Sequence, residues 1–596
     1  MPIIPNPQTQ KWRAGLPGKF FGDIIQSWNI DLERSEGKVS SSQRAAILAD
    51  STDVSGMGTP LHFLATDADA TSRWWALSTG KMANTSGSDP VTGWAADALA
   101  NSPTDAQDMV VHESNNSNQR LLVTRASDIA ILNSSGSNNI WTSSWWVTTL
   151  GQTALSSSYK HPTDRLDRLV AVGDGEFIHT IDQSDVVAYK RLSFSATYKC
   201  VAVYVSLTRF WFVFQNKIGG KGMVAEWDGG AEKANVTYEI NGHPLFGFVK
   251  DDVFHVITDD GRINKFNGRG FSTLVEFPCS EERQLLPPPL SVKNCTIDGD
   301  VVYMNIKEPF YSKKMRSGIW AFNTKNGNLY HHKSFGQYKL SVGTSKDFGQ
   351  GQGSSIEAGG LVQTFAASTY QYFLMGAKVY TNYAGGGSTE TAIYGNYYIN
   401  NHGYFVTSLI PSSEIEHFWY NVWVRFSRLI SSSEKIITKY RVTEGLIYSP
   451  ADNILYATAA WTSTTTFTAI LPVGVAVGNE VEVVSGDNAG CLFHISSLSA
   501  TPDGASTITV TIDEATPYSS SGSSLVRFDD WVKIPSGSNN PITTSLSNAT
   551  RCVNQVIGDP TAACGPYIQF KVELRGYAVE IDQLRVDAKI QTSSQL

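Results

Sequence analysis

The stretch FGFVKDDVFHVITDDGRINKFNGRGF, from Phe246 to Phe271, decides how the chain is read. Short apolar runs alternate there with turn signals at Asp251–Asp252, Asp259–Gly261 and Asn267–Gly268. Tight hairpin turns need positive φ, which Asp, Asn and Gly tolerate, so the spacing predicts antiparallel strands joined by hairpins. The cadence recurs in RLVAVGDGEFIHTIDQSDVVAY (Arg168 to Tyr189) and in CTIDGDVVYMNIKE (Cys295 to Glu308) with GIWAFNTKNGNLYHH (Gly318 to His332). Looser copies run from Leu61 to Gly80, Met109 to Asn133, Cys200 to Gly229 and Gly360 to Tyr380. Together they make about seven units at a spacing of roughly 40–60 residues, the spacing of propeller blades. EWDGG, KFNGR and AFNTKNG each place an aromatic before an Asp/Asn turn. Radial packing of sheets calls for such a large apolar side chain at a fixed point. A series of separate sandwiches is the competing reading.

Composition sets the class. Of 596 residues, 41% are hydrophobic and only 17% charged, against about 25% charged in an average domain. Gly, Ser, Thr and Asn fill the difference, which favours short strands and turns. The expectation is an all-β, multi-domain chain. A net charge of −8 provides no broad basic field, so no nucleic-acid recognition is expected. No run of about 18 apolar residues points to membrane insertion, and MPIIPNPQTQKWRAGLPGKF carries no apolar leader. The six cysteines form no C-x-x-C pair and read as reduced thiols, although Cys552 and Cys564 are near enough in sequence to close a short loop.

Residues 1–50 read as an N-terminal arm and first strand. Pro2, Pro5 and Pro7 keep the arm extended, and WNIDL (Trp28 to Leu32) alternates like a strand. The propeller is expected over 51–384, with GGGSTE (Gly385 to Glu390) as a hinge or long loop. Longer strands follow in HGYFVTSLI, HFWYNVWVRFSRLI and EKIITKYRV. In the second, Phe418, Tyr420, Val422, Val424 and Phe426 fall on one face and Trp419 and Trp423 on the other. YIQFKVELRGYAVEIDQLRVDAKI, from Tyr567 to Ile590, adds two more strands. These ends compose a discontinuous β-sandwich, 385–444 with 526–596. A small SH3-like barrel over 445–525 interrupts it, with turn signals at Gly478–Asn479, Gly486–Asn488 and Asp503–Gly504. Insertions of this kind succeed at loop tips.

The chemistry expected is sparse. A glycosidase needs two carboxylates flanking one bond, but Asp251, Asp252, Asp259 and Asp260 sit in hairpin turns that favour Asp for backbone reasons. His331 and His332 are adjacent, so on a strand they face opposite sides. H-E-x-x-H, G-x-S-x-G and P-loop patterns do not occur. The reading is a non-enzyme with no catalytic residues, cofactor or metal. Trp74–Trp75 and Trp145–Trp146 are the interface or ligand candidates, because one Trp of each pair should face outward from a strand.

Met223 to Asn267, with MVAEWDG, NVTYEI and DDVFHVITDDGRINKFNG, resembles the propeller repeats of structural tail proteins of tailed bacteriophages. YIQFKVELRGYAVEIDQLRVDAKI, with FWYNVWVRF and KYRV, is similar to the C-terminal sandwich of the same proteins. The resemblance implies a virion component at the tail tip, nozzle or fibre hub, assembled in the host cytoplasm. Its partners would be copies of itself in a symmetric ring and other tail proteins. A receptor- or glycan-binding tail protein and a glycan-degrading propeller are the alternative functions. GNEVEVVSGDNAG resembles the KOW turn of SH3-like barrels, but Glu480, Glu482 and Asp487 stand where RNA-binding members carry basic residues. The barrel shape carries over and the RNA binding does not.

Overall fold

A computed structural model describes Arg13–Ala14 and residues 23 to 590, apart from 340–355, 381–388, 444–454 and shorter stretches. Pro2, Pro5, Pro7 and most of GGGSTE lie outside the described residues. The fold is all-β: a seven-bladed propeller, a two-sheet sandwich and a closed six-stranded barrel.

Six consecutive four-stranded antiparallel sheets span 60–96, 106–142, 163–193, 198–240, 244–276 and 295–333. Each of the first six repeat units read from the sequence falls in its own blade. The turns are the ones the residues demand. Asp251 and Asp252 both have positive φ, 51° and 62°, in the two-residue hairpin between Pro244–Lys250 and Val253–Thr258. The aromatic–Asx signature closes the third strand of three successive blades. Trp227 and Phe322 are buried there. Asp228, Asn267 and Asn323 use their side-chain oxygens to accept backbone N–H groups two and three residues on, at 2.9–3.1 Å. These Asx turns reverse the chain at one point in each blade.

The first strands of neighbouring blades touch around the ring, and the strand Ile356–Phe365 meets both the sixth blade and Pro60–Thr66 of the first. Blade seven completes that ring from two parts of the chain. Ile356–Phe365, Gln371–Tyr380 and Thr389–Asn396 are its inner strands, and Ala45–Asp50 pairs antiparallel with the third. Phe335–Lys339 adds a parallel fifth strand. Two expected boundaries are thereby corrected. The hinge near 385 does not end the propeller, since Thr389–Asn396 belongs to it. The arm 1–50 is not a separate element, since its last strand is the outer clasp of blade seven.

The rest of the arm belongs to the sandwich. Asp23–Trp28 pairs with His402–Thr407, and Ile30–Asp31 and Val39–Ser41 extend the opposite sheet beside Glu580–Ile590. Asn29 sits between with φ of 54°, the bend that moves the chain from one sheet to the other. The two C-terminal strands likewise part company: Tyr567–Arg575 joins one sheet and Glu580–Ile590 the other. Gly576 makes that turn at φ of 111°, where a Cβ would collide with the Glu434 side chain. One apolar core is continuous from Tyr303, Tyr330 and Phe373 of blades six and seven through Ile30, Val39 and Ile47 to Trp419, Phe570 and Val586 of the sandwich.

In His417–Phe426 the expected alternation breaks. A bulge between Trp419 and Asn421 shifts the register, so Trp419 turns into the core with Val422, Val424 and Phe426, while Tyr420 is only half-buried. One extra residue flips the faces upstream of it. The barrel, 455–529, encloses its own core around Phe467, Val481, Phe493 and Phe528. It extends past the expected limit at 525, because Gly522–Asp529 closes against Leu455–Trp461.

Ile47 is 3% exposed within the clasp strand. Ile47→Ala is expected to lower stability by about 2–4 kcal/mol, and to speed proteolysis around residues 389–396 as blade seven loosens. Equilibrium denaturation and limited proteolysis read the two effects.

Candidate functional site

Function on a propeller is sought first at its axis. Here the chain itself crosses that axis. LLPPPLSVKN, Leu285 to Asn294, links blade five to blade six by passing over the inner strands. Its three prolines need no ladder partner, since they offer no N–H, and they hold the segment extended. Leu290 packs against the core of blades one and two, and its carbonyl accepts from Lys160 Nζ at 3.0 Å. The Val292 carbonyl accepts from the Tyr204 hydroxyl of blade four at 2.9 Å, and the Lys293 carbonyl from Leu361 N–H of blade seven at 3.1 Å. The last of these is a backbone contact, so it ties the segment to the inner strand of blade seven whatever side chains flank it.

Lys293 is the centre of this crossing. Its Nζ lies 2.7 Å from Asp164 and 3.2 Å from the Val203 carbonyl. Asp108, beside it, takes His62 at 2.9 Å on one oxygen and the Thr163 N–H at 2.9 Å on the other. Burial pushes the Asp108 carboxyl up, but His62 and Lys293 outweigh it and hold the group below the usual carboxylate range. Burial likewise pulls Lys293 down, and Asp164 and Asp108 more than restore it. A cavity of about 320 Å³ remains beside the crossing, lined by His62, Tyr204, Phe248, Lys293, Cys295 and Leu361. Asp108 and Asp164 are thus a carboxylate pair at the propeller centre, each engaged with a basic side chain and with backbone N–H groups. The expectations from sequence did not include this segment, although the Pro-Pro-Pro run shortly before a lysine is its visible signal.

The four tryptophan candidates divide. Trp75 is fully buried, edge-on to Trp141 with ring centroids 5.9 Å apart. Trp74 is half-buried against the core shared by blades one and seven. Trp145 and Trp146 do not lie on a strand. They open a π-helical turn, Trp145–Thr149, and both are buried. A helical turn lets adjacent residues point into one core, so the outward Trp expected of that pair is absent. Trp146 donates to the Thr153 carbonyl at 2.8 Å and packs on His179 of blade three; Arg120 lies over Trp145. This pair fastens blade two to blade three.

His331 and His332 are both buried. His331 Nδ1 accepts from Asn29 N–H at 2.9 Å, and Nε2 faces the Ser317 carbonyl at 2.9 Å, which fixes the neutral Nε2–H form. It therefore ties the arm to blade six. The cysteines follow the thiol expectation where the side chains are described: Cys200, Cys279, Cys295, Cys491 and Cys552 are free. The short loop through Cys564 is ruled out by register. Cys552 stands opposite Arg425 and Cys564 opposite Phe418 on one strand, roughly 24 Å apart along it at the usual rise per residue. Bridged Cα atoms need to be within about 7 Å.

A second cluster joins the three modules. On the sandwich, Lys439 stands directly opposite Lys571 in the pairing of Lys435–Thr443 with Tyr567–Arg575. Like charges so placed repel. Glu480 of the barrel is inserted between them and contacts both ammonium groups, and Glu573 lies 3.2 Å from Lys439. All four are essentially buried. Burial pushes Glu480 up, but the two lysines hold its carboxyl down at about 2. The barrel strand Glu480–Val483 alternates, with Val481 and Val483 in the barrel core and Glu480 and Glu482 facing out. Glu482 pairs with Arg527 and lies 3.9 Å from Arg316 of the propeller. Nearby, burial raises the Glu308 carboxyl to about 7 against the pull of Arg316. Glu480 and Glu482, which stand in place of KOW-type basic residues, thus serve as docking contacts, and Asp487 lies outside the described residues.

No protein-family model matches the chain, and no curated protein matches it. Among solved structures it is similar to BBS1N in complex with ARL6DN, at 10% identity over 58% of this chain and 97% of that one, with a TM-score of 0.35. The N-terminal domain of Nup159 matches at 10% identity over 65% of this chain and 100% of that one, with a TM-score of 0.34. The computationally designed Ika8 protein matches at 10% identity over 59% and 100%, with a TM-score of 0.33.

Two outcomes are expected. Glu480→Ala leaves Lys439 and Lys571 facing each other in a buried site, and should cost about 3–5 kcal/mol while Glu480→Gln costs less; chemical denaturation measures both. The second concerns pH. Burial lowers His331 from 6.5 to about 4, so its contribution to stability is complete above pH 6.5 and is lost as pH falls through 4. Between pH 7 and 5 that amounts to about 2 kcal/mol. Glu308 acts in the opposite sense, because its raised group favours the fold below pH 4.5 and that contribution is lost as pH rises through 7. Denaturation midpoints at pH 7 and 5 should converge in His331→Gln relative to the parent.

Proposed function

We propose that this chain is a structural component of a tailed bacteriophage virion, placed at the tail tip, nozzle or fibre hub and acting by assembly. The observation that carries the reading is the fixed union of three modules. Ends of the chain far apart in sequence share sheets, one apolar core runs from propeller to sandwich, and buried ion pairs dock the barrel. Such a body suits a part that must hold its shape while transmitting load between neighbours. The reading is also supported by the two stretches that resemble tail proteins, which fall in blades four and five and in the sandwich. Its partners are copies of itself in a symmetric ring and other tail proteins.

The non-enzymatic reading is part of the proposal: it is supported by the absence of the catalytic motifs sought in the sequence and by the structural pairings available to Asp108 and Asp164. Mass spectrometry and cryo-microscopy of purified particles test the proposal. The chain is expected in stoichiometric amounts within the tail, and its absence from intact virions would sink the reading.

A further inference from the structure

The bulge that turns Trp419 inward leaves Trp423 and Arg425 on the outer face of the same strand. Arg425 is paired with Cys552 on one side and Gln583 on the other, and Trp423 is paired with Arg585. Arg425 and Arg585 are therefore diagonal neighbours across two strands, about 7–8 Å apart at the backbone and within reach of one shared group. With Thr550, these residues line an open groove of about 530 Å³, a volume within the usual range for small-ligand sites. The Arg425 side chain is 63% exposed, and the nearby carboxylate of Asp582, at 3.7 Å, lies 3.6 Å from Lys38 as well. The groove thus holds two guanidinium groups beside an indole, with an amide and a hydroxyl at its edges.

We propose that this groove binds an acidic saccharide, with the sugar ring against Trp423 and its acid group between Arg425 and Arg585. An indole offers a flat apolar surface to the C–H face of a sugar, and polar edges hold its hydroxyls. The guanidinium fork pairs bidentately with a carboxylate or sulfate. A neutral sugar would make no use of the two guanidinium groups, and a bare anion would make none of the indole and the amide. Burial raises the Cys552 thiol while Arg425 and Arg585 pull it back, so the field of both arginines reaches the thiol. The inference goes beyond the assembly role and does not depend on it.

Cys552 supplies the reporter, since it is exposed, free and in the groove. The full chain is alkylated with iodoacetamide, and the rate at the Cys552 peptide is read by mass spectrometry. Oligogalacturonate, a heparin-derived tetrasaccharide, maltotetraose and sodium sulfate are compared at equal concentration. Protection of at least threefold by an acidic saccharide, with none from maltotetraose or sulfate, is the expected result. Arg425→Ala, a change at an exposed side chain, should weaken that binding about tenfold while leaving the denaturation midpoint in place, and Arg425→Lys should restore part of it. Equal protection by inorganic sulfate, protection by maltotetraose, or no protection at all overturns the proposal. None of these outcomes bears on whether the chain is found in virions.

Discussion

A ring of blades holds only if its last sheet meets its first; here Ile356–Phe365 makes that contact, and Ala45–Asp50 completes the sheet behind it. The three inner strands of blade seven follow the sixth blade in sequence, but their outer partner comes from far upstream. Bringing such distant segments together costs loop-closure entropy, which grows only slowly with length. The antiparallel ladder with Thr389–Asn396 and the burial of Ile47 and Ala49 offset it. Closure also fixes the strands before residue 45. Asp23–Trp28 and Val39–Ser41 are held next to blade six, where they pair with strands arriving from the far end of the chain. The clasp, these strands and the sandwich share one core.

The barrel is attached on different terms. Its own core is closed and separate from the large one. An apolar contact of Leu492 with Trp28, Tyr404, Val406 and Trp531 touches the sandwich, and since apolar burial is non-directional it does not by itself dictate one orientation. Charge does so instead. Lys439 and Lys571, placed face to face, make the sandwich surface unfavourable until Glu480 arrives, and Arg316 and Arg527 flank Glu482. Buried ion pairs add little net stability over well-packed apolar side chains. They do penalise any arrangement that leaves one charge unpaired. A chain with only 17% charged residues places many of them where they select a single docking geometry.

What was legible in the sequence follows from range. Hairpin turns are local, so Asp251–Asp252, Asn267–Gly268 and the aromatic–Asx signature expose the repeats, and the first six units each form a blade. Strand order over hundreds of residues is not local, and no pattern within residues 45–50 says which sheet it completes. Alternation in HFWYNVWVRF is visible, but the bulge after Trp419 is not, since one inserted residue leaves the composition unchanged. Strand geometry is the wrong template for Trp145 and Trp146, which sit on a helical turn. In sequence Glu480 and Glu482 show only as missing basic residues, because the lysines and the propeller arginine they meet lie in other modules.

The contrast between axis and outer sheet bears on where this molecule can meet a ligand. At the axis, basic groups and carboxylates are matched in place: Lys293 with Asp164, His62 with Asp108. On the outer face, Arg425 and Arg585 bring two like charges onto neighbouring strands. Asp582 lies beside Arg425 but is shared with Lys38. In a chain of net charge −8, two arginines converging beside a tryptophan run against the general trend of the surface. Like charges brought close on one sheet repel, and Asp582 offsets part of that at Arg425. An acid group bound between them would replace the repulsion with charge-assisted hydrogen bonds to both guanidinium groups.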